Sequence, residues 1–280
     1  MADAGAQAFW RIVDGVLVIN LDNRVDRWEQ TCEITDALVP TGKLQRVSAV
    51  LGAGLPGFGA KPWFRGRKRD RTWAGRAGVL LSHRTAIAAA QRNGWQCVLI
   101  LEDDIAPTSA FEPVLPRLAD ALAATAWDVC YLGYTDPRTP FECLADLGDG
   151  HALYRVSGCS TTHAYLLRAS TFDWLLRQLP VQADVWNWVS RHRAIDRWYY
   201  RNLSRRFRVT AVSPSIIDQR VDVSDITLRM NENTHVTRVD DGRVGGAGGF
   251  ALRNLVRHLG WRLAEPRDWL RSRVKRWRGF

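Results

Sequence analysis

The stretch Cys97-Val98-Leu99-Ile100-Leu101-Glu102-Asp103-Asp104 places an apolar run directly before three acidic residues. A short, continuous apolar run bounded by polar residues is typical of a strand that is buried on both faces of a parallel sheet. A helical pattern precedes it, with Ser82 as a suitable N-cap and Gly94 as a suitable stop after Asn93. The sequence therefore predicts a helix followed by an internal strand that ends in a cluster of carboxylates.

The same alternation of apolar runs and helical patterns extends along much of the chain. Further strands are predicted at 16–19, around Val47, at 127–133 and at 164–167. Further helices are predicted at 111–124, at 170–179 and after the polar stretch 22–27, where the helix runs through Ala37. This order favours an α/β fold with a mainly parallel sheet. Ligands bind at the carboxyl ends of strands in such sheets. The polar residues that follow two of these strands, Asn20 and the triplet Glu102–Asp104, are therefore the first candidates for a site.

Three consecutive carboxylates repel one another, and each raises the pKa of the others. A bound divalent cation removes this repulsion, and an all-oxygen ligand set suits Mn²⁺ or Mg²⁺. In extended backbone Glu102 and Asp104 point to the same side and Asp103 to the other, so we predict Glu102 and Asp104 as the metal ligands. The alternative is that the acids cap the following turn or pair with arginines of a neighbouring loop.

Two arginines, Arg24 and Arg27, follow the first predicted strand closely. Guanidinium groups bind diphosphates through paired hydrogen bonds. A cation on one side and these arginines on the other would hold a nucleoside diphosphate. The alternative is a surface helix in which Arg27 pairs with Asp22 or Asp26.

Composition narrows the class of protein. Of 280 residues 46% are hydrophobic and 24% are charged, which excludes a largely disordered chain. The net charge of +10 indicates an anionic partner, but no nucleic-acid-binding motif is present, so no nucleic acid is expected. Five scattered cysteines without a CxxC pair favour neither disulfides nor a zinc site. Because no signal peptide or spanning segment is visible, we expect a cytoplasmic protein.

The C-terminal part carries much of the excess positive charge. We divide the chain into a catalytic domain at 1–244, a flexible glycine-rich linker at 245–249 and a basic amphipathic tail at 250–280. The apolar residues of the tail fall on one helical stripe, which Pro266 is expected to interrupt. Such a helix suits the inner face of an anionic membrane. The alternative is a stripe packed on the protein's own core. A second basic run at 65–71 is expected to be a mobile loop, either solvated or a lid over an anionic ligand.

Several segments, taken in chain order, resemble glycosyltransferase family 25, which includes bacterial lipopolysaccharide and lipooligosaccharide galactosyltransferases and the collagen galactosyltransferases. They are VINLDNRVDRW at 18–28, GRAGVLLSH at 75–83, VLILEDD at 98–104, and shorter matches at 127–133, 162–165, 194–196 and 214–225. The resemblance covers roughly residues 14–228. One departure is Val79, where the family often has cysteine; an apolar residue there still fits a core.

The resemblance implies a GT-A-like fold, a UDP-sugar donor with galactose favoured, a divalent metal at the Glu102–Asp104 motif, and inversion at the anomeric carbon. The acceptor would be a cell-envelope or lipid-linked glycan, reached by a peripheral protein on the inner face of a membrane. The residues expected to contact the donor are Asn20, Arg24, Arg27, His83 and Asp103.

Inversion by direct displacement needs a base on the acceptor hydroxyl. Asp196 is our candidate, with Asp184 and Asp225 as rivals. The alternative for Asp196 is a helix N-terminal acid or an arginine partner.

Three further interpretations concern aromatic and histidine side chains. The aromatic residues near Asp196 are expected to stack on sugar faces. They are Trp198, Tyr199 and Tyr200, together with Trp186 and Trp188. His83 can equally be a structural, hydrogen-bonded residue, and His235 is either a third metal ligand or a surface residue.

Two alternatives to sugar transfer remain open: a non-catalytic protein that binds glycans or polyanions on the same scaffold, and a nucleotidyltransferase.

Overall fold

A large mixed sheet lies between two layers of helices in the computed structural model, which describes residues 4–222 and 238–280. The strands are β1 Gly15–Asn20, β2 Leu44–Ser48, β3 Cys97–Glu102, β4 Ile105–Pro107, β5 Val129–Gly133, β6 Asp136–Pro137, β7 Phe141–Gly148, β8 His151–Val156, β9 Cys159–Ser160, β10 Ala164–Arg168, β11 Val209–Ser213 and β12 Ile217–Gln219. The helices are α1 Ala4–Ile12, α2 Val25–Leu38, α3 Asp70–Arg92, α4 Phe111–Ala124, α5 Phe172–Gln178, α6 Val185–His192, α7 Ile195–Asn202 and α8 Ala247–Arg278.

Within the described residues the central sheet has the strand order β2-β1-β3-β10-β5-β11-β8-β7. Strands β2, β1 and β3 are parallel, as are β5 and β11, whereas β10 runs antiparallel between β3 and β5. Consequently β1, β2, β3, β5 and β11 all end at one edge, and β10 begins there. Two short strands, β4 and β12, form a separate antiparallel pair next to this edge.

The acidic triplet follows a strand that is buried on both faces, as predicted. Val98 and Ile100 pack into the apolar cluster under α3, α5, α6 and α7, while Leu99 and Leu101 pack into the cluster under α1 and α4. Successive side chains of a strand point to opposite faces, so a continuous apolar run is needed where both faces are covered. The α/β class is confirmed, and the predicted parallel sheet is confirmed in part: five of the eight strands described for it pair in parallel and run in the same direction, and β10, β8 and β7 join it by antiparallel pairing.

Helix α3 begins much earlier than the sequence pattern predicted. It starts at Asp70, so Ser82 lies inside the helix and is not its N-cap. The Ser82 hydroxyl instead donates to the Gly78 carbonyl (2.8 Å) and accepts from the Val50 amide (2.8 Å). The added turns are stabilised by burial of Trp73 and Leu80 in the core, a tertiary effect that local capping rules do not register.

The C-terminal segment is one continuous helix, α8, which corrects two predictions. The predicted linker is not a free joint, because α8 already begins at Ala247 and Phe250 is buried. Pro266 lies within the helix and does not end it. The residue is exposed, so water can bond the carbonyl that its missing N–H leaves free. No described helix combines the length and the apolarity needed to cross a membrane.

Part of the basic run at 65–71 has a different role from those predicted. Arg65 Nη2 donates to the Trp277 carbonyl (2.9 Å), and Arg67 donates to the carbonyls of Phe280 (3.2 Å) and Arg278 (3.1 Å). The two guanidinium groups thus bind carbonyl groups that a helix leaves free at its carboxyl end. The helix dipole also favours positive charge there. Arg65 and Arg67 therefore hold the end of α8, whereas Lys68, Arg69 and Arg71 are exposed, as expected for a solvated loop.

Candidate functional site

The candidate site lies at the edge where the parallel strands end. Strand β1 supplies Asn20, and β3 supplies Glu102, followed by Asp103 and Asp104 in the turn that leads to β4. The antiparallel strand β10 begins at the same edge, so the residues just before it, Thr161 to His163, join the group. This contribution depends on the direction of β10, which the sequence pattern did not reveal.

Asp103 is paired with the residues that follow β1. Its Oδ2 accepts from Asn20 Nδ2 (2.7 Å), and its Oδ1 accepts from Arg27 Nη1 (3.0 Å). Burial raises the pKa of Asp103, and the contacts with Asn20 and Arg27 act against this rise. Arg27 is itself buried and also donates to Asp222 (2.8 Å). The prediction that Arg27 pairs with Asp22 or Asp26 is therefore wrong, because this guanidinium lies between Asp103 and Asp222.

Arg24 takes a more open position than Arg27. Its guanidinium binds Asp26 (2.9 Å) and reaches Asp222 (3.4 Å), and its side chain is 20% exposed. A donor contact by Arg24 or Arg27 stays a prediction, but the structure already gives both groups carboxylate partners. Asn20, which is 1% exposed, additionally accepts from Arg46 (2.6 Å). Asn20 therefore links β1, β2 and the acidic triplet.

Glu102 is held by a buried histidine and a threonine. His83 Nε2 lies 3.3 Å from Glu102 Oε1, and the Thr162 hydroxyl donates to the same oxygen (3.0 Å). The other ring nitrogen of His83 is bonded to the Tyr165 hydroxyl (2.8 Å). Burial opposes the charged form of Glu102, but the hydrogen bond and the charge of His83, with smaller contributions from His163 and Thr162, leave the pKa of Glu102 lowered. Glu102 is thus kept as a carboxylate.

His83 is fully buried, so the structure places it behind Glu102. Any effect of His83 on a bound ligand would therefore pass through Glu102 and Thr162. The position fits the structural alternative for His83, and a direct donor contact stays a prediction.

Asp104 has the least compensated carboxyl group of the three. Its Oδ2 accepts from Gln219 Nε2 of β12 (3.0 Å), whereas its buried Oδ1 finds no hydrogen-bond partner among residues 4–222 and 238–280. Burial, and then repulsion from Glu102, raise the pKa of Asp104 to about 7. A buried carboxylate oxygen without a donor is costly, and a cation would remove that cost.

These residues fit a divalent metal in a specific way. The described part of the chain contains no cluster of three or more His, Cys, Asp or Glu side chains arranged to hold an ion. Mn²⁺ and Mg²⁺ at nucleotide sites commonly bind one or two carboxylates and take their other ligands from phosphate and water. Glu102, which is ionised, and Asp104, whose Oδ1 has no donor among the residues that the structure describes, supply the two carboxylates of that donor set. Asp103 is occupied by Asn20 and Arg27 and does not.

Asp196 is connected to the acidic triplet by the segment that precedes β10, because its carboxylate is hydrogen-bonded to that segment. In the first turn of α7, its Oδ2 accepts from the Thr161 amide (3.2 Å) and its Oδ1 from the Arg197 amide (2.6 Å). The next residue, Thr162, donates to Glu102. Two arginines, Arg76 and Arg193, lie in the neighbourhood of Asp196. Burial and repulsion from Arg193 lower the pKa of Arg76, and attraction to Asp196 opposes this change. Among its rivals, Asp184 is exposed. Asp225 and His235 lie outside the described residues.

Two predicted sugar-binding aromatics belong to the core. Trp186 and Trp188 are 6% and 9% exposed, and Trp186 donates its Nε1 proton to the Pro56 carbonyl (2.8 Å). The stacking prediction is therefore wrong for both, because their faces are covered by protein. Conversely, sequence reasoning gave no role to Thr162, Gln219 or Asp222. All three lie in the segments 162–165 and 214–225 that carry the family resemblance, which was the available signal.

Comparisons with known proteins identify no relative by sequence. No family model matches the chain, and no curated protein is significantly similar to it. Among solved structures, A197 from STIV is 12% identical, with 81% of this chain and 98% of that chain covered and a TM-score of 0.41. Mannose-1-phosphate geranyltransferase from Thermus thermophilus is 16% identical, with 74% of each chain covered and a TM-score of 0.33. Both likenesses are distant, and the proposed function rests on the residues of this chain.

Proposed function

We propose that the protein is a metal-dependent, inverting glycosyltransferase with a GT-A-like fold, of the kind found in glycosyltransferase family 25. It would move a hexose, with galactose favoured, from a UDP-sugar to a cell-envelope or lipid-linked glycan. The observation that carries this proposal is the buried Oδ1 of Asp104, which lacks a protein donor within the described residues and lies beside the ionised Glu102 at the end of an internal strand.

The site supports a diphosphate-bearing donor more than a neutral ligand. The carboxyl ends of strands are where α/β sheets bind ligands. A cation between Asp104 and a diphosphate would offset the negative charge of both groups. Mn²⁺ or Mg²⁺ bound there would neutralise negative charge on the leaving diphosphate. The sugar and the uridine are proposed from the family resemblance alone.

The reaction needs a base on the side of the acceptor. The acceptor hydroxyl oxygen forms a bond with the anomeric carbon while the bond to the diphosphate oxygen breaks, and UDP leaves with the electron pair. The hydroxyl proton passes to a carboxylate, for which we propose Asp196. Its tie to the Thr161 amide fixes its position relative to Glu102 through the adjacent Thr162, and its partial exposure leaves room for an acceptor.

A donor screen by thermal shift in the presence of Mn²⁺ tests the proposal. UDP-hexoses are expected to raise the melting temperature more than nucleoside triphosphates, and Asp104→Asn is expected to abolish this effect. Asp184→Asn, a change at an exposed aspartate, is the matched control and should respond like the native protein. Greater stabilisation by triphosphates would favour a nucleotidyltransferase. Salt-sensitive binding of polyanions without release of UDP from any donor and acceptor pair would favour a non-catalytic binding protein.

A further inference from the structure

Helix α8 exposes its apolar side to solvent. Leu263 is 83% exposed, Trp277 is 74% exposed and Leu252 is 63% exposed. The other exposed apolar side chains of the helix are Leu255, Val256, Leu259, Trp269, Leu270 and Val274. At about 100° per residue these positions form one stripe, which at 1.5 Å per residue is about 38 Å long from 252 to 277. An exposed apolar surface of this extent marks an interaction site.

The opposite side of α8 is docked on the domain, mostly through polar contacts. Arg201 of α7 binds Asp268 (2.7 Å), and Lys275 Nζ donates to the Ser190 carbonyl (2.7 Å). Near the start of the helix, Asn254 Nδ2 donates to the Ser204 carbonyl (3.1 Å). At the end of the chain, Phe280 is buried and stacks on Trp73, with ring centroids 4.5 Å apart. The helix is therefore held at both ends while its stripe faces outward.

This arrangement differs from both outcomes expected for the tail. A stripe packed on the core would be buried, and a tail released by a glycine joint would not be docked. The usual pattern of a surface helix, with the apolar side inward and the charged side outward, is reversed here. Because the docked side is held by hydrogen bonds and an ion pair to the domain, the apolar stripe is available to another partner.

The charges around the stripe indicate what that partner is. The exposed cations of α8 are Arg253, Arg262, Arg267, Arg271, Arg273, Arg276 and Arg278. Within this helix, which is described along its whole length, Glu265 is the exposed acid. By helical position the arginines flank the stripe on both sides. Apolar residues with tryptophans, bordered by arginines, suit the headgroup layer of an anionic bilayer. A second copy of the chain would bring the two sets of arginines together, which is unfavourable.

We propose that α8 lies in the surface of an anionic lipid bilayer through this stripe while it remains docked on the domain. Membrane binding then requires no release of the helix. It also orients the candidate site, because α7 carries both the Arg201 that holds α8 and the proposed base Asp196. The inference concerns a surface separate from the acidic triplet, so it stands or fails independently of the proposed sugar transfer.

Co-sedimentation of the full chain with vesicles tests the proposal. Vesicles of phosphatidylcholine containing phosphatidylglycerol are expected to bind the protein, and pure phosphatidylcholine vesicles to bind it much more weakly. The double variant L259E/L263E should lose at least tenfold in affinity, and it should melt like the native protein because both side chains are exposed. Val181→Glu, at an exposed apolar residue outside α8, is the matched control and should bind normally. Replacing Arg271 by Gln should weaken binding about fivefold, on anionic vesicles only.

Two results would overturn the proposal. The first is unchanged vesicle binding by L259E/L263E. The second is a dimer of the native chain in analytical ultracentrifugation that L259E/L263E abolishes, since the stripe would then be a protein interface. The docked state has its own test, Asp268→Ala, which removes the partner of Arg201. Unchanged vesicle affinity supports binding by the docked helix, whereas tighter binding would show that the helix must detach.

Discussion

Replacing Asp104 by Asn should have opposite effects on stability with and without metal. In the native protein burial and repulsion from Glu102 raise the pKa of Asp104 from 3.8 to about 7. A group whose pKa is raised on folding favours the folded state below its unfolded pKa, and this contribution is lost as the pH rises through the folded pKa. The asparagine side chain carries no charge, so the variant avoids the loss. Without metal, Asp104→Asn should therefore stabilise the protein above pH 7 and change little at pH 4.

The size of this effect follows from the rise in pKa. One pKa unit corresponds to about 1.4 kcal/mol, so a carboxyl whose pKa rises from 3.8 to about 7 weakens the folded state by up to about 4 kcal/mol at pH 8. Asp104 is only partly buried as a residue, and the amide of an asparagine at this position must find hydrogen-bond partners. We therefore expect the free energy of unfolding to rise by about 1 to 3 kcal/mol. With Mn²⁺ and UDP the native protein should gain stability by binding, and the variant should not.

Urea denaturation at pH 4, 6 and 8, with EDTA or with Mn²⁺ and UDP, measures both effects. Glu102→Gln is the matched control with the opposite sign, because the pKa of Glu102 is lowered and its charged form stabilises the fold above its ordinary pKa of 4.5. That variant should lose stability at pH 8 and differ little at low pH. If Asp104→Asn is less stable than the native protein at pH 8 in EDTA, the carboxylate of Asp104 is not poorly compensated and the reasoning is refuted.

Three further outcomes are expected. Arg27→Met should cost about 3 to 5 kcal/mol in urea denaturation, because it leaves Asp103 buried without its cation; a cost below about 1 kcal/mol would show that the pair is not essential. Phe280→Ala should cost about 3 kcal/mol through loss of its packing on Trp73, and isothermal titration should find UDP affinity unchanged. Asp196→Asn should lower kcat for transfer at least 100-fold while KM for the donor stays within about threefold; an unchanged kcat would exclude it as the base.

The positions of β1, β3, β5 and β10 followed from the sequence because these strands are buried along most of their length, whereas the equally buried β11 was missed. Strand β3 is covered on both faces, so its apolar run is continuous and easily read. The direction of β10 cannot be read from the sequence, because a short buried strand has the same apolar composition whether it runs parallel or antiparallel to its neighbours. The hairpin of β7 and β8 was missed although Asp149-Gly150 is a strong turn signal, since its strands are only partly buried.

Helix α8 shows the limit of the apolar-inside rule. The stripe of apolar residues was visible in the sequence, but the docked side consists largely of polar residues such as Asn254, Asp268 and Lys275. Each of these is buried or half-buried because a specific partner lies on α6, α7 or the turn after α7. Pairings between residues distant in the chain cannot be read from a periodic pattern, so the sequence predicted the existence of the helix and its two sides but not which side is docked.

The acidic triplet is best understood as three carboxylates with three different environments. Asp103 pairs with Arg27 and accepts from Asn20, contacts that oppose the rise in pKa that burial causes, and His83 with Thr162 keeps Glu102 ionised. Among the described residues the Asp104 side chain accepts from one donor, Gln219, and burial raises its pKa to about 7. In a purely structural role, a hydrogen-bond donor at this buried oxygen would stabilise the fold. The last carboxylate of the triplet is therefore the one whose charge the protein compensates least, and it is better placed to bind a cation than a carboxylate that already has an arginine partner.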